Sequence, residues 1–306
     1  MKRGHAVPIA VMLLLFAIAP LFVYPVFLMK ALCLALFACA FNLLIGYAGL
    51  LSFGHALFLG SASYVAAHAA KVWELPTPLA ILAGTVAATV LGVVVGALAI
   101  RRQGIYFAMI TLALAQMFYF FCLRAPFTGG EDGIQAVPRG RFVFLDLNHT
   151  LTLYYVVLAI FAFGFLLLHR TVRSPFGAVL LAIRENEPRA LSLGYQTDHY
   201  KLIAFVLSAG LAGLAGATKA IVFQLASLTD VHWGTSGEVI LMCLLGGLGT
   251  TFGPVAGAFL LSALENYLSQ LGSWVTVVQG AIFIACTVAF RRGIFGELSR
   301  LLKRPL

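Results

Sequence analysis

Residues 151–195 read LTLYYVVLAIFAFGFLLLHRTVRSPFGAVLLAIRENEPRALSLGY, a long apolar run that leads into a short, strongly charged segment. The apolar run, 151–169, approaches the ~20 residues that an α-helix needs to cross a bilayer. Similar runs recur along the chain, in which 61% of residues are apolar and only 10% are charged. About a quarter of the residues in a soluble domain are charged. The sequence therefore predicts an all-α, polytopic helical membrane protein, folded as a single transmembrane domain over 1–306.

Apolar runs bounded by charged residues, Pro or Gly predict ten membrane segments. They lie at about 8–28, 31–46, 50–70, 78–100, 104–123, 151–169, 201–223, 237–249, 254–269 and 275–290. The second, eighth and ninth are short for a full crossing, so each either spans the membrane or re-enters it. The first follows a basic N-terminus, as in a signal peptide, but its apolar run continues past Pro20, which favours an uncleaved span.

The distribution of basic residues predicts the orientation. If ten segments alternate through the membrane, 14 of the 20 Lys and Arg residues fall on one side. They are Lys2 and Arg3, Arg101 and Arg102, the five from Arg170 to Lys201, and the five after Phe290. The positive-inside rule then places both termini and the charged segment at about 170–200 in the cytoplasm. The net charge of +9 is a topology signal, and no nucleic-acid partner is predicted.

The residues show no catalytic or metal-binding pattern. The five cysteines lie within or at the ends of apolar runs without a CxxC pair, which is typical of buried small hydrophobes. They are Cys33, Cys39, Cys122, Cys243 and Cys286. No phosphate-binding G-x-x-x-x-G-K-[ST] motif, HExxH or nucleophile elbow occurs. We therefore expect no catalytic residue, no metal and no cofactor in this chain.

The charged segment predicts two short helices that meet at an elbow. Ser174 can cap a first helix that has Pro175 at its first position. Pro188 then opens a second helix, which starts at Asn186 or Glu187. Two interpretations remain open from the residues alone. The helices either lie on the membrane surface with their charges in water, or form a docking surface for a soluble partner, which mixed charge on a rigid element suits.

Two glycine-rich stretches interrupt apolar runs in different parts of the chain. The first contains Gly46, Gly49, Ser52, Gly54 and His55, and the second contains Gly246, Gly247, Gly249, Gly253 and Pro254. Both read G-x-x-G followed shortly by F-G, which is weak evidence for an internal repeat. They predict helix breaks that border a translocation pathway. The alternative is close packing of helices through small residues.

Two isolated ionisable side chains lie in the predicted spans. His55 either lines a pathway, where it can take part in proton transfer, or donates a hydrogen bond to a carbonyl of a neighbouring helix, and the second interpretation is favoured. Lys219 is expected to reach the outer interface or to pair with an outer-side carboxylate. Otherwise the spans contain almost no ionisable residues, which disfavours a secondary transporter driven by an ion gradient. An intramembrane enzyme would need a catalytic pair at one depth, and none is visible.

The segment SPFGAVLLAIRENEPRALSLGYQTDHYKLIAFVLSAGLAGLAGA at 174–217 resembles the permeases of branched-chain amino-acid ABC importers, the LivH/LivM family and its LivM branch in particular. Four further stretches resemble the same family. They are NLLIGYAGLLSFGHALFLGSASYVAA (42–67), GIYFAMITLALAQ (104–116), FTGGEDGI (127–134) and LMCLLGGLGTTFGPVAGAFLL (241–261). The resemblance implies a permease subunit for branched-chain or other apolar amino acids in a bacterial cytoplasmic membrane. Relatives that carry urea, short amides or other small solutes leave the solute open.

The resemblance also implies partners and the residues that meet them. The partners are two ATPase subunits that bind ATP and Mg, a second LivH-like permease and a solute-binding protein. The elbow would couple to the ATPase, with its charged side chains facing solvent and projecting into a groove of that subunit. The residues concerned are Arg184, Glu185, Asn186, Glu187, Arg189 and Gly194. Within this stretch, Glu187, Ala190 and Gly194 resemble a degenerate EAA…G signature. The outer loop at about 124–150 would dock the solute-binding protein through Thr128, Gly129, Gly130, Glu131 and Asp132.

Overall fold

The computed structural model describes residues 6–142 and 145–268, together with six isolated positions further along the chain (277, 278, 280, 281, 284 and 293). The helices in this part of the chain are α1 Ala6–Ile18, α2 Pro25–Asn42, α3 His55–Lys71, α4 Thr77–Ala99, α5 Ile105–Arg124, α6 Thr150–Val172, α7 Pro175–Glu185, α8 Glu187–Ser192, α9 Thr197–Phe223, α10 Trp233–Gly246 and α11 Gly253–Leu268. A π-helical turn, Leu43–Ala48, extends α2. These helices confirm the predicted all-α, polytopic fold.

Among the residues that the structure describes, five helices are long and apolar enough to cross a bilayer: α2 with its π-turn, α4, α5, α6 and α9. The other apolar helices, α1, α3, α10 and α11, are shorter. The predicted boundary between the first two segments is wrong, because Pro25 opens α2 and places the break before it. The third segment begins at His55 instead of residue 50, since residues 49–54 are not helical. The predicted span at 275–290 lies outside the described residues, apart from isolated positions.

Helix α9 lies at the centre of the fold, with α3 and α4 packed on it most extensively. Small residues allow the backbones to approach closely. A Cβ on Gly216 would lie only 2.0 Å from the Leu59 carbonyl oxygen of α3, and one on Gly213 would lie 2.4 Å from the Ala88 Cβ of α4. Helices α2, α10 and α11 pack on one another as a second group, and α2 also contacts α6 and α9.

The outward faces of α4 and α5 are apolar. Their large exposed side chains are Leu79, Leu82, Val86, Val90, Val93, Val94 and Leu98 on α4, and Ile105, Tyr106, Met109, Met117, Phe120 and Phe121 on α5. Such a surface is unfavourable in water but suits the hydrocarbon of a bilayer. This side of the bundle therefore has the character of a lipid-facing surface.

Short strands fasten the loop between α5 and α6. Strand β1, Ile134–Gln135, pairs antiparallel with β4, Leu225–Ala226, which follows α9. Strands β2, Arg141–Phe142, and β3, Leu145–Asp146, pair antiparallel with each other. Further hydrogen bonds run from Arg139 Nη2 to the Val222 carbonyl (2.9 Å) and from Lys71 Nζ to the Gln135 carbonyl (2.7 Å). The loop is therefore fixed to the ends of α3 and α9.

Candidate functional site

Helices α7 and α8 form the elbow, residues 175–192, that the sequence predicts. Ser174 occupies the N-cap position of α7, but its hydroxyl donates to the Thr171 carbonyl (2.6 Å) and does not cap an amide. Asn186 caps α8 through a hydrogen bond from the Arg189 amide to its side-chain oxygen (3.0 Å). Gly194 follows the end of α8 with a φ of +89°, as expected of a residue that stops a helix. The predicted shape of the segment is confirmed.

Arg184 turns back from the elbow towards the π-turn after α2. Its Nη1 donates a hydrogen bond to the Gly46 carbonyl. Its Cγ lies 3.0 Å from where a Cβ on Gly49 would stand, and its Nη1 lies 3.5 Å from the same position on Gly249. Both of these glycines have a φ of +73°, which other residues rarely adopt. Arg184 is thus exposed at the elbow while its guanidinium contacts the π-turn, and its projection into an ATPase groove stays a prediction.

Both glycine-rich stretches are helix breaks, and the fold brings them together. The first break comprises residues 43–54, and the second comprises residues 247–252. The Asn42 side chain joins them, since its Nδ2 donates to the Thr250 carbonyl (2.9 Å) and its Oδ1 accepts from the Gly249 amide (3.0 Å). A Cβ on Gly46 would lie 2.7 Å from the Gly249 nitrogen. Broken helix and close glycine packing, posed as alternatives in the sequence, thus occur at the same residues.

The remaining residues of the two stretches lie at or beside the breaks. Ser52 and Gly54 are in the non-helical part of the first break, and His55 is the first residue of α3. Gly246 ends α10, Gly247 follows it, and Gly253 with Pro254 begins α11. A Cβ on Gly246 would stand 1.9 Å from the Gly253 carbonyl oxygen. The second break is therefore a compact turn, and a role of either break in translocation stays a prediction.

The carboxylate of Glu187 is tied into the fold. It forms an ion pair with Lys201 of α9, and the two side chains are only 17% and 4% exposed. The expectation that Glu187 faces solvent is therefore wrong. Glu185, Asn186 and Arg189 are exposed, and Glu185 forms no ion pair with any residue that the structure describes. Fewer charged side chains of the elbow are thus available to a partner protein than the sequence suggests.

Replacing Glu187 with Gln should destabilise the elbow, because the buried Lys201 ammonium loses its counter-charge. Loss of one partner of a buried pair costs about 3 kcal/mol, somewhat less where one side chain is partly exposed. We expect a lower thermal unfolding midpoint in detergent. The double variant Glu187→Leu with Lys201→Met should recover most of the loss, since it leaves no unpaired charge. A Glu187→Gln midpoint equal to that of the parent chain would contradict this role of the pair.

His55 contacts a neighbouring helix as predicted, but its partner is a serine hydroxyl and not a backbone carbonyl. The side chain is fully buried, and its Nε2 lies 2.9 Å from the Ser208 hydroxyl of α9. Because that hydroxyl donates to the Ala40 carbonyl of α2, its oxygen accepts from His55. The rings of Phe41 and Phe58 pack edge-on against the imidazole. His55 thus links α3, α9 and α2, and a pathway role stays a prediction.

Ionisable residues are more numerous inside the helices than the sequence indicated. Lys219 of α9 pairs with Asp230, which agrees with one of the two predictions made for Lys219. Lys30 of α2 and Glu265 of α11 form a second ion pair at 2.9 Å. Glu238 of α10 lies within electrostatic range of both pairs. Sequence reasoning missed Lys30, Glu238 and Glu265 as a group, because they are distant in the chain and each sits near a predicted helix end.

In the loop between α5 and α6, not every predicted docking residue is accessible. Thr128 is fully buried, and its hydroxyl donates to the carbonyls of Cys122 and Ala125. Its side chain is therefore structural, which corrects its place in a docking face. Gly129, Glu131 and Asp132 are exposed, and Gly130 is partly exposed. Two short 3₁₀ turns, Pro126–Thr128 and Gly130–Asp132, present them.

Comparison with known proteins identifies relatives along most of the chain. Residues 25–287 match the family model described as "Branched-chain amino acid transport system / permease component". "High-affinity branched-chain amino acid transport system permease protein LivM" of Escherichia coli (strain K12) is 25% identical, over 83% of this chain and 65% of the relative. The protein of the same name from Salmonella typhimurium has the same identity and coverage. The chain thus spans 65% of the length of these relatives.

"Ribose import permease protein RbsC" of Bacillus subtilis (strain 168) is 28% identical, over 54% of this chain and 51% of its own. No solved structure matches. The family model extends from the start of α2 to beyond α11, and so includes the elbow and both helix breaks. The chain is therefore a multi-pass integral membrane protein that belongs to the family of branched-chain amino acid transport system permease components.

Proposed function

We propose that the chain is a membrane-spanning permease subunit of an ABC importer, energised by separate ATPase subunits that dock on the elbow. The observation that carries the proposal is the contact of Arg184 with Gly46, because it joins the exposed elbow to both helix breaks. The chain has no phosphate-binding motif of its own. ATP and Mg would accordingly be bound by the partner ATPases.

The elbow is suited to transmit a movement into the membrane domain. Helix α7 packs against the π-turn, α6 and α9, and α8 is held to α9 by the ion pair of Glu187 with Lys201. A displacement of the elbow is therefore shared with the first break and with the central helix. Packed elements of this kind shift between discrete arrangements and do not deform gradually. We propose that closure of an ATPase dimer shifts the elbow and, with it, the two breaks.

Further subunits complete the proposed importer. A second permease, related to LivH, would share the pathway, and a solute-binding protein would dock on the loop between α5 and α6. Glu131 and Asp132 are exposed there, and the loop is fixed to α9 by the β1–β4 pairing. A fixed, charged surface is favourable for docking, since little ordering is needed on binding. If the solute-binding protein docks on this loop from outside, the elbow and both termini lie in the cytoplasm, as the distribution of basic residues predicts.

The solute is proposed to be a branched-chain or other apolar amino acid, as the names of the LivM relatives suggest. A relative named for ribose import leaves other small solutes, including urea and amides, as the alternative within the family. A secondary transporter is the alternative mechanism, and the ionisable residues of α2, α10 and α11 remove one argument against it. Co-purification of an ATPase subunit with the tagged chain separates the two mechanisms.

Replacing Glu185 with Lys should weaken ATPase docking. The Glu185 carboxylate is exposed at the elbow, so the change reverses a charge on the proposed interface and leaves the fold intact. Loss of a charge pair at an interface corresponds to about tenfold weaker binding. We expect about a tenfold loss of retained ATPase subunit in pull-down assays. Glu74→Lys is the matched control, because Glu74 is exposed in the loop that follows α3 and is not part of the elbow. Equal retention in both variants would argue against docking at the elbow.

A further inference from the structure

Five ionisable side chains lie at one level of the bundle, at the end opposite the elbow. We name Lys30, Lys219, Asp230, Glu238 and Glu265 the distal cluster. Lys30 and Glu238 are each the sixth residue of their helix, α2 and α10, which is about 8 Å from the helix start. The other ends of α2 and α10 lead into the two breaks that meet near the elbow. The cluster is thus separated from the elbow by most of the length of these helices.

The charges of the distal cluster do not balance. Lys30 pairs with Glu265, and Lys219 pairs with Asp230, which also accepts a hydrogen bond from Ser63 (3.4 Å). Glu238 remains, and it forms no ion pair with a described residue. The five residues therefore comprise two cations and three carboxylates. One carboxylate is in excess, which favours a visiting cation over a visiting anion.

Part of the cluster is open. Glu238 is exposed, and the side chains of Lys30 and Glu265 are 38% and 23% exposed. On the same turn of α10, nothing lies within 4 Å of the place that a Cβ on Gly237 would take. A charged group in contact with hydrocarbon is unfavourable, so such residues face protein or a water-filled cavity. The surface formed by α2, α10 and α11 at this level is therefore not lipid-facing.

The opposite character of α4 and α5 supports this assignment. Their exposed large side chains are apolar from Leu79 to Leu98 on α4 and from Ile105 to Phe121 on α5, and the exposed Arg124 stands at the end of α5. The bundle thus has one side suited to lipid and one side that carries an exposed charge, Glu238, within an apolar helix. In a transport protein, a surface of the second kind contacts another protein or borders an aqueous pathway.

We propose that the surface around Glu238, formed by α10 and α11 with Lys30 of the otherwise buried α2, lines the aqueous pathway, and that Glu238 binds the ammonium group of a solute in transit. Lys30 lies on the same surface, and its ammonium group binds the carboxylate of a zwitterionic solute while it keeps its ion pair with Glu265. The binding is transient, because Glu265 competes with the carboxylate of the solute for the Lys30 ammonium group. This inference rests on the proposed import function and adds to it a site within the permease itself.

The first test measures access of water to position 238. Glu238→Cys is treated, in the assembled complex in membrane vesicles, with a membrane-impermeant quaternary-ammonium thiosulfonate. The matched control is Val90→Cys on the exposed apolar face of α4, and the parent chain supplies the background of the native cysteines. We expect labelling at position 238 to be at least about tenfold faster, since the reactive thiolate forms in water and not in lipid. Equal, slow labelling at both positions would overturn the proposal.

A second outcome of this test concerns the partner permease. If Glu238→Cys reacts in the isolated chain but is protected in the complex, the surface is a contact between subunits and the pathway assignment is wrong. Protection that appears only when L-leucine and its solute-binding protein are added during ATP turnover supports the proposal. Because labelling needs no transport activity, it separates a failure of this site from a failure of the proposed importer function.

The second test measures transport through the site. Glu238→Gln keeps the size of the side chain and removes its charge, whereas Glu238→Asp keeps the charge. With L-leucine and saturating solute-binding protein, we expect the maximal uptake rate to fall about tenfold for Gln, the effect of one lost charge pair, and much less for Asp. ATPase-subunit retention should be unchanged in both, and Glu74→Gln is the control for a lost surface carboxylate. Full uptake by Glu238→Gln would refute a role in solute binding.

Discussion

Replacing Arg184 with Met is expected to uncouple the proposed importer: solute uptake falls by at least about tenfold, while the proposed ATPase subunit stays bound. The variant keeps the aliphatic stem that packs over Gly49 and removes only the guanidinium that bonds to the Gly46 carbonyl. A hydrogen bond from a charged donor contributes about 1.5–3 kcal/mol, which corresponds to roughly 10–100-fold in an equilibrium. The measurement compares solute-stimulated with basal ATPase activity in the reconstituted complex.

Two variants sharpen this experiment. Arg184→Lys keeps the charge and one donor, so an intermediate loss of uptake is expected. Arg189→Met removes an exposed elbow cation that forms no ion pair with a described residue, and should weaken docking without uncoupling what remains bound. Full stimulation in Arg184→Met would show that the contact with Gly46 does not transmit the movement. Loss of the ATPase subunit in that variant would instead make Arg184 a docking residue.

Replacing Gly216 with Val should prevent α3 from packing on α9. Even a Cβ alone would lie 2.0 Å from the Leu59 carbonyl oxygen, and both groups belong to helix backbones that cannot move separately. Overpacking of this kind typically destabilises by about 1–3 kcal/mol, and by more where neither backbone can shift. We expect a large fall in the thermal unfolding midpoint, or a loss of folded protein from the membrane, measured by fluorescence-detected size exclusion.

Gly237→Ala is the matched control for that change. It lies within α10, and a methyl group added there would meet no atom within 4 Å. Replacing a glycine inside a helix with Ala stabilises by about 0.5–1 kcal/mol, so the midpoint should stay equal or rise. If both variants unfolded at the same temperature, the closeness of α3 and α9 would not limit stability as we infer.

The elements that depend on neighbours in the chain could be predicted from the sequence. Apolar runs, Pro175 with Ser174 before it, and Asn186 with Pro188 after it signal helices and their ends locally, and the structure has these elements. The glycine-rich stretches likewise predicted the breaks, because positive φ and close packing both require residues without a Cβ. The errors at Pro25 and His55 arose because apolar residues continue through a break without changing composition.

The contacts that connect these elements could not be predicted in the same way. Arg184 bonds to a carbonyl 138 residues earlier, and Lys30 pairs with a carboxylate 235 residues later. A charged residue in a single sequence looks the same whether it faces solvent or a distant backbone group. Asn42, which joins the two breaks, gave one signal, since it is a lone amide in an apolar run directly before a glycine-rich stretch.

Helix α9 is held at both of its ends. At one end, β4 pairs with the loop proposed to receive the solute-binding protein, and at the other end Lys201 pairs with Glu187 of the elbow. A helix of 27 residues spans about 40 Å, so one stiff rod connects the two faces. Linkage between two sites is reciprocal. If α9 transmits an ATP-driven movement to the outer face, it would also transmit the docking of a loaded solute-binding protein to the elbow. ATP hydrolysis would then stay slow until solute is available for import.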